Sequence, residues 1–269
     1  MNNIIIKNND ITIQGDISVE KLDKKGFDNS IKILIQGEQD IGLGFNISSA
    51  IHQRIFIELF LTKNSKLNLK TVCCGCFNGS SHFAMFSVIM GDGSSLNWIK
   101  SYNWSFTKVK DKIFLKMFNN SKLNIEFSGS LENAEVKEDF KLNILGQNNE
   151  VKIFTKQLLK NSKSKIIERL KIKGDKNKLE TKAKVGLETS KSYIFMFSKT
   201  TGKMNVVSSI CEEVFLNEDS IAKSLPLIYS SHGSNKIDHE AKIGEVEKEK
   251  LYYLINRGIS PEKAKMLII

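Results

Sequence analysis

The chain has 269 residues, 41% of them hydrophobic and 26% charged, enough to bury a sizeable core as one elongated unit or two compact ones. A formal charge of +10 raises nucleic acid as a partner. However, only Arg54, Arg169 and Arg257 among the 40 basic residues are arginines, the side chain favoured for base readout and phosphate clamping, so no nucleic-acid role is expected. Four cysteines, three crowded into four positions, do not make a secreted disulfide framework, and no apolar run approaches a membrane span; a cytoplasmic chain with reduced thiols and no membrane attachment is expected.

In chain order, the N-terminal "MNNIIIKNNDITIQ" holds a three-residue apolar run, too short for a signal-peptide core. Strands follow. "QRIFIELFL" (53–61), "AMFSVIM" (84–90) and "KIFLKMF" (112–118) are rich in the β-branched and aromatic residues that suit a pleated, half-buried surface. Between them a phrase recurs in which a small polar turn precedes an apolar residue: "NSKLNLK", "GSSLNWI", "NSKLNIEF", "NNEVKIF", "KNKLETK" and "KMNVVSS". Its apolar markers Leu67, Leu96, Leu123, Val151, Leu179 and Val206 lie 29, 27, 28, 28 and 27 residues apart. A β-sandwich would not keep that interval, whereas a coil stacking on its predecessor would. The chain is therefore predicted to be mainly β: a right-handed parallel β-helix over residues 1–240 with a short α-helical tail over 241–269. The only prolines, Pro226 and Pro261, fall late, so ladder bonding is uninterrupted until then.

Two clusters carry possible chemistry. "CCGC" places Cys73, Cys74 and Cys76 together, but zinc in a four-thiolate site wants two spaced pairs; a structural or sulfur-handling role stays open. "KIDHEAKIGEVE" places Asp238, His239 and Glu240 in a row where the strand pattern is expected to stop, near Ile237. Taken alone the triplet is ordinary solvated surface. "GEVEKEKLYYLINRG" then predicts a helix, with Glu245, Glu247 and Glu249 in the positive first turns, Arg257 in the last and Gly258 as the stop. Leu251, Leu254 and Ile255 share one face, with Tyr252 and Tyr253 to either side. Ser260 and Pro261 open a second helix as N-cap and first helical residue.

"HEAKIGEVEKEKLYYLINRGISPEKAKMLI" (239–268) resembles the C-terminal signature of the SufB/SufD family, scaffold components of the SUF iron–sulfur assembly machinery. "HEA" is similar to the SufB branch, and "SSHFAMFSVIMGDGSSLNWIKSYNW" (80–104), ending in Tyr102, Asn103 and Trp104, is similar to a family segment running from a His to Gln-Asn-Trp. Cys211 precedes Glu240 by 29 positions, the spacing of a cysteine in SufB-type proteins. The resemblance runs from about residue 65 to 269 and implies a minimal form without the long N-terminal helical region of other members. An interior cysteine that passes sulfur along the solenoid in some members finds no counterpart in "FLKMFNNSKL" (114–123).

The resemblance implies a scaffold, not itself an enzyme, that carries a transient iron–sulfur cluster and hands it to recipient apo-proteins. Thiolate with exchangeable nitrogen and carboxylate ligands suits a cluster that must be released, which selects Cys211, Glu240, His239 and Asp238 in that order. On a regular strand Asp238 and Glu240 face one side and His239 the other, so one chain offers too few converging ligands. A homodimer, or a heterodimer with a SufD-like protein, is expected to complete the site. The chain has no GxxxxGK[ST] loop, so the energy source implied is a SufC-like ABC ATPase, docked on Leu251, Tyr252, Tyr253 and Leu254. His232 reads as a turn residue, and His82 as one that packs or satisfies a turn. The competing readings are a carbohydrate-active β-helix enzyme using Asp238 and Glu240 as a carboxylate pair, and a structural solenoid adaptor.

Overall fold

The computed structural model describes residues 2–246 and 248–268. Strands make up 66% of the chain, wound into a β-solenoid of about eight turns. The first coil opens with two antiparallel pairings: β1 (Asn2–Lys7) with β2 (Asp10–Gln14), and β3 (Val19–Lys21) with β4 (Asn29–Ile35). From there each coil contributes one strand to each of two facing parallel walls. The odd wall contains β5 (Glu38–Ile47), β7 (Lys66–Gly75), β9 (Ser95–Ser105), β11 (Lys122–Glu132), β13 (Glu150–Lys160), β15 (Lys178–Glu188), β17 (Val206–Phe215) and β19 (Lys236–Glu245). The even wall continues from β4 through β6 (His52–Leu61), β8 (Ser81–Met90), β10 (Lys108–Met117), β12 (Glu135–Ile144), β14 (Lys163–Ile172), β16 (Lys191–Thr200) and β18 (Ile221–Ser230). Antiparallel β2 and β3 cover the two walls at the N-terminal end; β19 and β18 are the free edges at the other.

The repeat read from the sequence is the register of the odd wall. Leu67, Leu96, Leu123, Val151 and Leu179 stack on one another through β7, β9, β11, β13 and β15. The last marker is corrected by one position. Leu179 pairs with Val207, which is buried, while Val206 faces outward. "NVV" offers two adjacent valines, and only the pleat decides which turns inward.

The turns explain the abundance of asparagine. Asn64, Asn120, Asn148 and Asn161 adopt positive φ, a region asparagine tolerates better than most residues. Behind them runs a ladder of buried amides. The side-chain oxygens of Asn149, Asn177, Asn205 and Asn235 accept the backbone N–H of Ser121, Asn149, Asn177 and Asn205, one coil earlier, at 2.8–2.9 Å. Gly146, Gly174 and Gly202 stack beside it so closely that a Cβ on Gly174 or Gly202 would collide with the carbonyl of the glycine below.

The tail differs from expectation at its start. Strand β19 continues to Glu245, so the strand pattern does not stop near Ile237, and residue 240 lies inside the last strand. The alternation was hard to see because this final strand has no coil above it and every one of its residues is exposed. Helix α1 (Lys248–Asn256) therefore begins later; Glu245 belongs to the strand, Glu249 lies in the first helical turn, and Glu247 lies outside the described residues. Gly258, at φ 81°, ends α1. Its N–H donates to Ile255 O and that of Ile259 donates to Leu254 O, which together form a Schellman stop. Helix α2 (Pro261–Ile268) starts on the proline, as expected, and its Lys265 pairs with Glu188 of β15 at 2.5 Å.

Replacing Asn177 with Ala leaves the N–H of Asn149 without its buried partner in the middle of the ladder. Stability should fall by about 1–3 kcal/mol in denaturant titration. Alanine at the exposed Asn68 should change it by less than about 0.5 kcal/mol.

Candidate functional site

The sequence candidates lie on the last two strands of the odd wall. In β17 the inward positions are Val207, Ser209, Cys211 and Glu213, all buried. Cys211 is fully enclosed, with Ala183 below it in register, Ala241 above it, and its S–H directed at the Met196 sulfur 3.5 Å away. Burial, with added repulsion from Glu168 and Glu213, pushes its thiol up to about 12. The closed coil thus holds Cys211 as a neutral thiol; it becomes a nucleophile or metal ligand only when the site is opened or a cation arrives.

Register decides which of the other candidates can meet it. Asp238 pairs with Ser208, His239 with Ser209, Glu240 with Ile210 and Ala241 with Cys211. In-register parallel neighbours point to the same side. His239 therefore shares the inner face with Cys211, one strand over and diagonally placed, while Asp238 and Glu240 lie on the outer face. There Glu240 pairs with Lys242 at 3.0 Å. Among the described residues no three His, Cys, Asp or Glu side chains converge to hold one metal ion. One chain places Cys211 and His239 on the same face of adjacent strands, and leaves the two carboxylates across the backbone from them.

The interior also contains groups that the sequence reading missed. Lys100 is buried with Asp111, its direct ion-pair partner, and with Glu138 at 3.6 Å. Burial alone would lower its pKa, but Asp111 and Glu138 outweigh this and hold the ammonium charged. His82 faces the same space. Its Nδ1 is 2.8 Å from Gln53 Oε1, its ring lies against Trp104, and burial lowers its pKa to about 4, so it is neutral near pH 7. Gln157 donates to Tyr102 Oη and Glu138, and accepts from Ser164. Further along, Ser224 donates to the buried Glu213 at 2.5 Å, and Glu168 stands buried with one oxygen unpartnered. Each occupies an inward position of an alternating strand; a charged residue at an apolar phase was the available signal.

Cys73 belongs to this interior set. It is buried on the inner face of β7, where burial strongly raises its thiol pKa, while Cys74 faces outward and Cys76 lies exposed beyond the strand. The three thiols of "CCGC" therefore point different ways. Cys73 is thus an interior cysteine on β7, while residues 114–123 contain none. His232 sits in the turn before β19, where its carbonyl accepts from Ser230 Oγ and Asn235 N–H.

On α1, Leu251, Leu254 and Ile255 are half-buried, whereas Tyr252 and Tyr253 are 62% and 59% exposed. Between the tail and the odd wall lies a cleft of about 760 Å³ bordered by Lys184, Glu212, Tyr253, Leu254 and Ile268. No described helix is long and apolar enough to cross a membrane.

Burial raises the Glu168 carboxyl to about 8, well above the 4.5 of a free glutamate side chain. The folded chain then holds a proton that the unfolded chain releases between those values. Glu168 therefore favours folding fully below about pH 4.5, and this is lost by up to about 1.4 kcal/mol per unit as pH rises toward 8. Glu168→Gln should flatten that slope, so the variant gains on the parent protein at pH 9 relative to pH 5 in urea titrations.

Residues 199–269 match the family model described as SUF system FeS cluster assembly, SufBD core domain. An iron–sulfur cluster assembly SufBD family protein of Galdieria sulphuraria is 39% identical over 61 residues, 23% of this chain and 28% of that protein. One from Guillardia theta is 34% identical over 65 residues, 24% of this chain and 14% of the relative. One from Pyrococcus horikoshii is 36% identical over 59 residues, covering 22% and 13% respectively. The matched stretches thus span less than a third of each relative's own length, and the family model leaves residues 1–198 unmatched. Cys211, the Asp238–Glu240 triplet and the helical tail all fall inside the segment that is similar to the SufBD core domain.

Proposed function

We propose that the chain is a scaffold on which iron–sulfur clusters are assembled and from which they are passed to recipient apo-proteins, with no catalytic turnover of its own. One observation carries this reading. The segment similar to the SufBD core holds Cys211 and His239 on one face of adjacent strands at the open end of the solenoid. Cys211 supplies the soft anchor for iron and sulfide, His239 an exchangeable nitrogen, and Glu240 and Asp238 the carboxylates.

A second chain completes the set. Strand β19 has an unpaired edge whose centre is Glu240 and Ala241. Two such edges related by a twofold axis can pair, which brings both triplets and both Cys211 residues to one seam. A SufD-like partner offering the same edge would serve equally. The closed, neutral state of Cys211 gives the energy source its task. A SufC-like ABC ATPase gripping Leu251, Tyr252, Tyr253 and Leu254 could lever the last coil open, since α1 follows β19 after only two residues. The two exposed tyrosines are the natural anchors. The SufB-like assignment rests on the "HEA" triplet and the Cys211 spacing.

Anaerobic reconstitution with iron and sulfide tests the reading, with bound iron, labile sulfide and visible absorption as readouts. The parent chain should take up cluster, and Cys211→Ser should lose it while remaining folded, because oxygen is a poor substitute for thiolate toward iron–sulfide species. Full loading of Cys211→Ser removes the thiol from the site. Glu240→Ala should weaken loading more than Asp238→Ala; equal retention in both returns the carboxylates to solvated surface. Truncation after Val246 keeps β19 whole and should abolish co-purification with the ATPase, whereas unchanged binding would move the contact to the solenoid wall.

A further inference from the structure

The outer faces of the two walls differ in how charge is stacked. Parallel, in-register strands place each outward side chain about 4.8 Å from its counterpart one coil away, where opposite charges stabilise and like charges repel. The odd wall mostly follows that rule, with Lys156 on Lys184 as a like-charged exception. Glu38 meets Lys66, Lys122 meets Glu150, Glu132 meets Lys160 and Lys182 meets Glu212, at 3.2–3.9 Å. The even wall does not. One outward row, near the start of its strands, runs Phe83, Lys110, Lys137, Lys165, Tyr193, Lys223, with three lysines directly stacked and no carboxylate in the row. The row of Lys116, Asn143, Lys171 and Lys199, near the other end of the strands, is also free of acids. From β6 to β18 the outward acids of this wall are Glu58, Glu135 and Asp139, and Asp139 is already bound by Arg169. The chain's +10 excess is thus largely presented on one flat face.

We propose that the outer face of the even wall is a docking surface for a protein with a carboxylate-rich surface. Charge complementarity selects an anion, and three features select protein carboxylates among anions. First, the rings of Phe83, Tyr193 and Tyr229 are capped. Lys110 and Lys112 lie over Phe83, Lys165 and Lys223 over Tyr193, and Lys199 over Tyr229, so stacked bases would have to displace ammonium groups. Second, the bidentate phosphate clamp is missing, since Arg169 is engaged with Asp139 and Arg54 lies between Phe27 and Phe83. Third, the rings hold the lysine heads in place, which lowers the ordering cost of meeting fixed carboxylates, and the exposed apolar side chains of this wall, among them Leu34, Phe60, Leu225 and Leu227, lie on β4, β6 and β18 and not among the stacked lysines of β10, β12 and β14. A face six strands wide and ten residues long offers roughly the 800 Å² per partner of a standard interface. The inference is independent of the cluster reading: the row lies on the opposite wall from β17 and β19.

The test is binding of a fluorescein-labelled oligoglutamate to the full chain at physiological ionic strength, followed by anisotropy. Lys110→Glu/Lys137→Glu/Lys165→Glu should weaken binding by about tenfold or more, and the charge-matched odd-wall set Lys122→Glu/Lys152→Glu/Lys178→Glu by less than about threefold. The neutral set Lys110→Gln/Lys137→Gln/Lys165→Gln should lose binding too. Equal losses in both glutamate sets reduce the effect to net charge and overturn the proposal, as does undiminished binding by the glutamine set or no binding by the parent chain. Tighter capture of a labelled oligothymidylate, or cosedimentation with phosphatidylserine vesicles that oligoglutamate does not compete, reassigns the face to nucleic acid or membrane and overturns it as well.

Discussion

In-register stacking of parallel strands is the constraint on which the rest of this molecule depends. Each coil must place a residue directly on one from the coil below, so a choice made once propagates as a column. Apolar columns such as Leu67 to Val207 become the core. Asparagine columns become a hydrogen-bonded spine at the turns, and glycine columns appear where the backbone passes too closely for a Cβ. A misfit in one coil is felt in both neighbours, which is why Gly129 lies directly on Tyr102, where any Cβ would strike the ring.

Columns also explain where polar groups can be kept inside. Between the walls, Lys100, Asp111, Glu138 and Gln157 satisfy one another across the interior, and the network is tolerable because the charges are paired and hydrogen-bonded. The pairing is not complete: Asp111 Oδ1 and His82 Nε2 lack a hydrogen-bond partner, as does one oxygen each of Glu168 and Glu213 toward the C-terminal end, where Cys211 is the last enclosed thiol before the columns run out. The terminal coil combines a free backbone edge, an exposed inner face and a helical tail.

Much of this was legible in the sequence, and the failures have physical causes. The repeat could be read because small turn residues reset the phase every coil, while Val206 was mistaken for Val207 because two valines adjoin there. Strand β19 was cut short because "DHEAKIGE" carries little apolar alternation, and an uncovered last coil needs none. The helix stop at Gly258 and the start at Pro261 were readable from local chemistry alone. The interior ions were overlooked because lysines and acids in alternating strands are assumed to face water. Lys100 and Asp111 break that rule at inward phase, and nothing local announces their pairing across the walls. The convergence of Cys211 with His239, and the separation of both from Glu240, needed the register.

The central claim is that two chains share one assembly site at their terminal coils. Native mass spectrometry of the anaerobically reconstituted chain measures this directly, because chain number and bound iron and sulfide are read from the same ion. The account predicts one cluster on a dimer and none on the monomer. Cluster carried by a single chain, or by a dimer that forms equally well without iron and sulfide when its β19 edge is blocked by Ala241→Pro, would contradict it.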